Sequence, residues 1–190
     1  FSENGLFDFA DMLCAAGADR ITLHPRTRKE SYSRPIRKKY VQLLAEFIKA
    51  RYPDVSVAGN GAIDGPKALA AFAASCPAAD AFMIGRSAVQ KPWIFALLKR
   101  SAEAGTGDTE IGGGAELQID LLKTAEDFIA DLEECQPEDF WKTRAQRFFA
   151  YYCDNVQFAH YIKSQVLQQK NHRAMLERFA LYFGEAPDER

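Results

Sequence analysis

Short runs of strand-forming residues alternate with helix-forming segments through the first half of the sequence, and this alternation is the strongest constraint on the fold. The runs DRITLH (19–24), VSVAGN (55–60) and DAFMIG (80–85) are predicted strands. Apolar residues at helical spacing predict helices over 5–17, 35–51, 65–75 and 92–104. Strands that alternate with helices of ten or more residues are typical of repeated βα units. The pattern therefore predicts an α/β fold in which three strands form a parallel sheet with helices packed outside it.

The sequence also predicts the apolar stripe of the first helix and the N-terminal cap of the third. In the first helix, Leu6, Phe9, Met12 and Leu13 lie at helical spacing and are expected to form its buried stripe. The third helix is expected to take Asp64 as its N-terminal cap.

The second half of the sequence contains no strand signal. The segment 104–115 is rich in glycine and predicts a linker. Beyond it, 116–134, 138–153, 155–169 and 171–183 each have the spacing of an amphipathic helix. We therefore expect a domain over 1–103, a linker over 104–115 and a small helical domain over 116–190.

Composition narrows the class of protein. The chain has 190 residues, 47% of them hydrophobic, which is enough to build a substantial core. No apolar segment approaches the roughly eighteen residues of a membrane span, and the first residues do not resemble a signal peptide, so we expect a cytoplasmic protein. The four cysteines are widely spaced and include no CxxC pair, which favours buried free thiols over a zinc site or disulfides.

The net charge is only −2, but the basic residues are clustered. Seven of them and a single acid, Glu30, lie between Arg26 and Lys39. Such a patch favours a polyanionic partner. Arg37, Lys38 and Lys39 would also oppose the dipole in the first turn of the predicted second helix, which favours an anion there, although a solvated face is the simpler alternative.

Each predicted strand is followed by a polar or flexible cluster: HPRTR, GNGAID and GRSA. Ligands of parallel α/β folds bind beyond the carboxyl ends of the strands. Asn60 and Gly61 offer an amide and bare backbone N–H groups, Gly85 permits close approach, and Arg86 can bind an anion beside the start of the next helix. His24 can donate a hydrogen bond to a ring carbonyl or nitrogen. Ordinary turns and a surface histidine are the alternatives.

Three segments in this order and spacing, GADRITLHPRTRKESYSRP, VAGNGAID and FMIGRSAVQKPWIF, resemble the closing half of the FMN-dependent tRNA-dihydrouridine synthases. The region beyond residue 115 resembles their C-terminal helical domain. The resemblance implies the C-terminal part of a TIM (β/α)8 barrel, with about three βα units, followed by a small all-α domain. It also implies reduction of a uridine in tRNA by FMN, which NADPH or NADH would reduce in turn.

The resemblance further implies roles for individual residues. His24 would lie against the flavin and the uracil, and Asn60, Gly61, Gly85 and Arg86 would hold the FMN phosphate. The basic residues expected to contact tRNA are Arg26, Arg28, Arg37, Lys38, Lys39, Lys142, Arg144 and Arg147, with Lys163, Lys170 and Arg173 as further candidates. No metal is expected.

The sequence also departs from the family pattern. The family usually has Gly where Pro25 stands, an acid at Ala62, Gly at Ser87 and Asn at Lys91. None of the four cysteines matches the motif of the catalytic cysteine, which should precede Phe1.

We therefore expect a fragment that is inactive alone and self-associates through the strand edges of its incomplete barrel. The expected barrel interior is a face of Ile, Leu, Val, Phe and Met. The alternatives are another FMN-dependent barrel oxidoreductase that acts on a small molecule, and a non-catalytic RNA-binding module.

Overall fold

The computed structural model describes residues 3–31, 34–104 and 117–186. The predicted linker, apart from residue 104, lies outside the described residues. Within the described part, one compact unit holds the residues up to Ser87 and those from Trp93 to 104, and a second holds Ala88–Pro92 and 117–186. The division into functional domains stays a prediction.

The first unit contains a parallel sheet of three strands in the order β1-β2-β3. The strands are β1 (Arg20–Leu23), β2 (Ser56–Asn60) and β3 (Ala81–Met83). Thr22 pairs with Ala58, which in turn pairs with Ala81. The predicted parallel arrangement is therefore confirmed.

Five helices follow one another along this part of the chain: α1 (Glu3–Ala15), α2 (Lys39–Arg51), α3 (Pro66–Ser75), α4 (Arg86–Gln90) and α5 (Ile94–Glu103). The residues of α4 are divided between the two units, and the other four helices belong to the first. Helix α2 begins four residues after the predicted start at 35, and residues 86–90 form a short helix that the sequence did not predict. The predicted cap of α3 is wrong. Gly65 occupies the N-cap without a side-chain bond, and Pro66 begins the helix, where its missing N–H costs nothing.

Helices α1 and α2 bury apolar side chains against β2. The cluster comprises Leu6, Ala10, Cys14, Leu44, Ala45, Ile48 and Val57. The predicted stripe of α1 is therefore partly wrong, because Phe9 and Met12 are 56% and 57% exposed while the small Ala10 and Cys14 face inwards.

A second cluster covers the same side of the sheet near α3. It joins Val41 and Phe72 with Ile63 and Cys76. A Cβ on Gly59 would lie 3.0 Å from Cζ of Phe72 and 3.1 Å from Cγ1 of Val41. Glycine is required here because the strand lies directly under two helices.

The opposite face of the sheet differs from the prediction. Strand alternation and register put seven residues on it, and all but Met83 are small or polar: Arg20, Thr22, Ser56, Ala58, Asn60, Ala81 and Met83. Nε of Arg20 donates to Oγ of Ser56 at 2.9 Å, and Met83 is 52% exposed. Of the expected interior face of Ile, Leu, Val, Phe and Met, only Met83 lies there. The rest of the expectation is wrong, since Ile21, Val57 and Phe82 face the helices. Alternation fixes which residues share a face, but not which of the two faces the helices cover.

The second unit contains four helices: α6 (Leu121–Cys135), α7 (Glu138–Tyr152), α8 (Ala159–Leu167) and α9 (His172–Glu185), with a 3-10 turn at Cys153–Asn155. The four predicted helices are confirmed. Phe149, Tyr152 and Phe179 form the centre of an aromatic core, with ring centroids 5.4–5.7 Å apart for the contacts to Phe179. The hydroxyl of Tyr152 donates to the carbonyl oxygen of Leu121 at 2.9 Å, so this buried polar group is satisfied.

The helices of the described residues are all too short or too polar to cross a membrane. No group of His, Cys, Asp and Glu side chains within these residues is arranged to hold a metal ion.

Candidate functional site at the strand ends

The carboxyl ends of the three strands meet at one edge of the sheet, as parallel pairing requires. Asn60 closes β2, and its Nδ2 donates to the carbonyl oxygen of Met83 at 3.2 Å. This bond ties the ends of β2 and β3 together. Asn60 therefore stabilises the strand-end site in addition to being one of its predicted ligand-binding residues.

His24 and Gly61 are in direct contact. Gly61 has φ +118°, and a Cβ at this position would lie 3.1 Å from Cε1 of His24 and 3.3 Å from Cγ2 of Ile36. A side chain at residue 61 would therefore both strain the backbone and displace the imidazole. The next residue, Ala62, also has a positive φ, of 51°. The sequence identified His24 and Gly61 separately but gave no signal that they touch.

The imidazole of His24 lies in a cationic environment. Although the residue as a whole is exposed, partial burial of the imidazole removes water from it, and this desolvation lowers the pKa of His24. The charges of Arg26 and Arg86 lower the pKa of His24 further. The ring is therefore neutral near pH 7, with one nitrogen as donor and the other as acceptor.

Gly85 and Arg86 complete this edge, and both are exposed. A Cβ on Gly85 would have no neighbour within 4 Å, so the backbone is open to solvent. Helix α4 begins at Arg86 but has only five residues, and the contribution of its dipole to anion binding stays a prediction. The positive charge at this edge comes from the guanidinium groups of Arg86 and Arg26.

The loop between β1 and α2 uses part of the basic cluster to hold its own shape. Oε2 of Glu30 accepts from the Thr27 amide at 2.5 Å and from Nη2 of Arg37 at 2.7 Å. Nη2 of Arg26 donates to the carbonyl oxygen of Arg34. Arg26 and Arg37 are thus partly engaged within the chain.

Arg37, Lys38 and Lys39 were predicted to lie together in the first turn of α2. Helix α2 begins at Lys39, so Arg37 and Lys38 precede that turn and do not oppose the helix dipole from within it. The ammonium of Lys38 lies 5.2 Å from the ring centre of Phe72, and that of Lys39 lies 4.8 Å from the ring of Tyr40. Arg28 is exposed, and it lines a cavity of about 240 Å3 together with His24 and Tyr40.

In the second unit the structure brings only some of the predicted cations together. Arg144 and Arg147 are three residues apart on α7 and share one side, whereas Lys142 is about 160° around the helix from Arg144. Lys163 pairs with Asp154, and Arg173 binds Glu133 through two bonds of 2.7 and 2.9 Å. Lys170 is exposed.

No cysteine of the described residues lies at the strand ends. Cys14, Cys76 and Cys153 are buried, and burial raises the pKa of Cys153 to about 12. Cys135 is exposed on α6, so the expectation that all four are buried is wrong for it.

The parallel sheet with its helices agrees with the comparison to known proteins. The family described as dihydrouridine synthase (Dus) matches residues 2–180, and the chain belongs to this family. It is 34% identical over 95 residues to a tRNA-dihydrouridine synthase B of Vibrio parahaemolyticus serotype O3:K6 (strain RIMD 2210633), a match that covers 50% of this chain and 28% of the relative.

A second relative is a tRNA-dihydrouridine(47) synthase [NAD(P)(+)] of Cryptococcus neoformans var. neoformans serotype D (strain B-3501A). The identity is 31% over 93 residues, which covers 46% of this chain and 13% of the relative. The matches thus span less than a third of either curated relative.

Proposed function

We propose that this chain belongs to an enzyme that reduces uridine to 5,6-dihydrouridine in tRNA, with FMN as cofactor and NADPH or NADH as reductant. The observation that carries the proposal is the cluster of His24, Gly61, Arg26 and Arg86 at the strand ends. The names of both relatives specify tRNA, and one of them names NAD(P)+.

The residues at the strand ends fit the phosphate of FMN. The open backbone at Gly85 and the side chain of Arg86 offer the donors that a phosphate requires. Asn60 and Gly61 shape the adjoining turn. When bound, FMN supplies the hydride that reduces the C5–C6 bond of the uridine.

His24 is suited to orienting a ring rather than to neutralising a charge. Because its pKa is lowered, the neutral imidazole can donate one hydrogen bond to a carbonyl of the flavin or of the uracil. Arg26 and Arg86 keep the ring neutral and attract the anionic parts of the ligands.

We further propose that the remaining cations expected to contact tRNA, including Arg28 and Lys39, bind its phosphates. The resemblance implies a cysteine as proton donor, and no described cysteine lies at the strand ends. We therefore expect the chain alone to bind FMN weakly and to leave uridine unreduced.

Flavin titration of the purified chain, together with tRNA retention at low and high salt, tests the proposal. We expect measurable FMN binding and tRNA retention that falls steeply as salt rises. Flavin binding without tRNA retention would indicate an oxidoreductase that acts on a small molecule. RNA retention without flavin binding would indicate a non-catalytic RNA-binding module, and either result would contradict the proposal.

A further inference from the structure

Helices α8 and α9 carry a patch of side chains that lie side by side at the surface, which we call the α9 face: Phe158, Tyr161, Arg178, Leu181 and Glu185. Phe158, Tyr161 and Leu181 are 57%, 50% and 63% exposed. The Phe158 amide donates to the hydroxyl of Tyr182 at 3.4 Å, and the guanidinium of Arg178 lies 5.9 Å from the ring centre of Tyr161. These contacts bring the exposed rings against α9. Exposed apolar side chains that lie together, rather than singly, mark an interaction surface.

Three members of the α9 face form a line along α9, with an apolar side chain between opposite charges. Arg178 and Glu185 are seven residues apart, which is about 10 Å along the axis and about 20° around it. Leu181 lies near the midpoint, within about 60° of both. The line therefore runs from positive through apolar to negative in the chain direction, and in the opposite order when the helix is reversed.

The guanidinium of Arg178 is poorly satisfied by its own chain. Its Nε donates to Oε1 of Gln165 at 2.7 Å, but Nη2 lies 3.9 Å from Oε2 of Glu185, which is too long for a hydrogen bond. Nη1 is buried and has no hydrogen-bond partner among the described residues. Because the side chain is only 13% exposed, water screens its charge poorly, and a further carboxylate nearby would stabilise it.

We propose that the α9 face binds a second copy of this chain, with the two α9 helices antiparallel across a two-fold axis at Leu181. Arg178 of each copy would lie opposite the partner's Glu185, and the two Leu181 side chains would meet at the axis. A two-fold interface requires a surface that is complementary to itself. A line of opposite charges placed symmetrically about an apolar centre meets this requirement, and a line of one sign would not.

The size of the α9 face determines the strength of the expected dimer. Phe158 and Tyr161 would flank the central contact and exclude water from it. Two turns of helix with two flanking rings offer less than the roughly 800 Å2 per partner of a standard interface, so we expect a weak and reversible dimer. The inference does not depend on the proposed function, because the α9 face contains no residue of the strand-end site and none of the cations assigned to tRNA.

Sedimentation velocity of the whole chain over a range of concentrations tests this inference. The wild type should show an equilibrium between monomer and dimer. Leu181→Ser removes the apolar centre, and Glu185→Arg places like charges opposite each other. Each should raise the dissociation constant of the dimer at least about tenfold. Both positions are exposed, so neither substitution should disturb the fold.

Complementary charge reversals distinguish the proposed pairing from a general effect of charge. Arg178→Glu alone should remain monomeric. When it is mixed with Glu185→Arg, the two variants should form a heterodimer, because both pairs across the axis then join opposite charges. Sedimentation of fluorescently labelled Arg178→Glu with unlabelled Glu185→Arg measures this mixed dimer. Circular dichroism checks that Arg178→Glu is folded, and if it is not, Leu181→Ser and Glu185→Arg decide the outcome.

Matched controls lie elsewhere in the same unit. Phe140→Ser removes an exposed ring of α7, and Glu126→Arg reverses an exposed charge of α6. Both should dimerise as the wild type does, and a loss of dimer as large as in the α9 face variants would overturn the inference.

Two results for the α9 face itself would also overturn the inference. A wild type that stays monomeric at all concentrations would leave this face to a different partner. Association that persists unchanged in Leu181→Ser and Glu185→Arg would place the contact elsewhere, such as at the strand edges.

Discussion

The contact of His24 with the backbone of Gly61 determines the geometry of the strand-end site. The glycine allows φ +118° and leaves room for the imidazole, and the two nearby arginines lower the pKa of His24. The position of the His24 ring thus depends on Gly61, and its protonation depends on Arg26 and Arg86. Each effect can be measured separately.

We expect Arg86→Gln to raise the pKa of His24, because the substitution removes one of the two charges that disfavour the imidazolium. Inorganic phosphate bound beside Arg86 in the wild type should also raise the pKa of His24, because its negative charge offsets that of the guanidinium. The measurement is an NMR titration of the imidazole Cε1 proton, assigned with His24→Gln. Arg51→Gln is the control, since Arg51 lies at the end of α2 that leads to the start of β2, away from the strand ends. An unchanged pKa in Arg86→Gln would show that the guanidinium is too distant to hold the same ligand.

Two glycine substitutions should separate stability from binding. Gly61→Ala forces alanine into a positive φ and against His24, and should cost about 1–3 kcal/mol of unfolding free energy. Gly85→Ala has open space for its Cβ and should change stability by less than about 0.5 kcal/mol. It should nevertheless weaken FMN binding, because the methyl group would occupy space at the phosphate. Urea denaturation and flavin titration check both values, and equal stability losses in the two variants would contradict the account.

At the scale of elements, a partly buried ionic cluster connects α6 to the start of α9. Oε1 of Glu133 lies 2.6 Å from Nε2 of His172 and 2.7 Å from Nε of Arg173, and the ring of Trp141 on α7 lies 5.0 Å from that of His172. Glu133 is only 24% exposed. The bonds to Arg173 and then to His172 lower its pKa from 4.5 to about 2.

This cluster predicts a loss of stability in acid. The lower pKa in the folded chain means that folding favours the carboxylate, so the stabilisation is complete above about pH 4.5 and is lost as the pH falls towards 2. Because Arg173 is 68% exposed, we expect a contribution of only about 1–2 kcal/mol.

Glu133→Gln should therefore be less stable than the wild type at pH 7 and nearly as stable as the wild type at pH 2.5. The control is Glu134→Gln, at an exposed position, which should be as stable as the wild type at both pH values. Urea denaturation followed by Trp141 fluorescence, in a Trp93→Phe background, measures the difference. A difference that does not depend on pH would rule out the ionic origin.

The sequence predicted the elements more accurately than their boundaries and faces. The strands were found to within two residues because strand-forming runs between turn residues are a local signal. The predicted start of α2 was too early because Glu30 holds the preceding loop by accepting hydrogen bonds from Thr27 and Arg37. These partners lie three and seven positions from Glu30, and hydrophobic periodicity does not reveal such bonds. The face of the sheet was reversed because alternation in a short strand does not say where the helices lie.

The site shows the same division. His24, Asn60, Gly61, Gly85 and Arg86 could be identified from the sequence because each follows a strand. Two features depend on three-dimensional placement: the contact between His24 and Gly61, and the bond from Asn60 to the carbonyl of Met83.

At the scale of the whole molecule, the sheet has two strands, β1 and β3, that each pair on one side only among the described residues. Unpaired N–H and C=O groups along such edges favour pairing with another chain. The open face adds little apolar surface to this tendency, because all of its residues except Met83 are small or polar. Self-association through the edges stays a prediction. Light scattering should show an average mass that rises with concentration, and a monodisperse monomer at all concentrations would contradict it.

The central claim is that the strand ends bind the phosphate of FMN, and the most direct test compares FMN with riboflavin, which lacks that phosphate. Fluorescence titration should show that the wild-type chain binds FMN about ten- to a hundredfold more tightly than riboflavin, as one charge-assisted contact of about 1.5–3 kcal/mol requires. In Arg86→Gln the two flavins should bind alike, whereas Arg51→Gln should keep the wild-type preference. Equal affinity of the wild type for both flavins, or an unchanged preference in Arg86→Gln, would contradict the account.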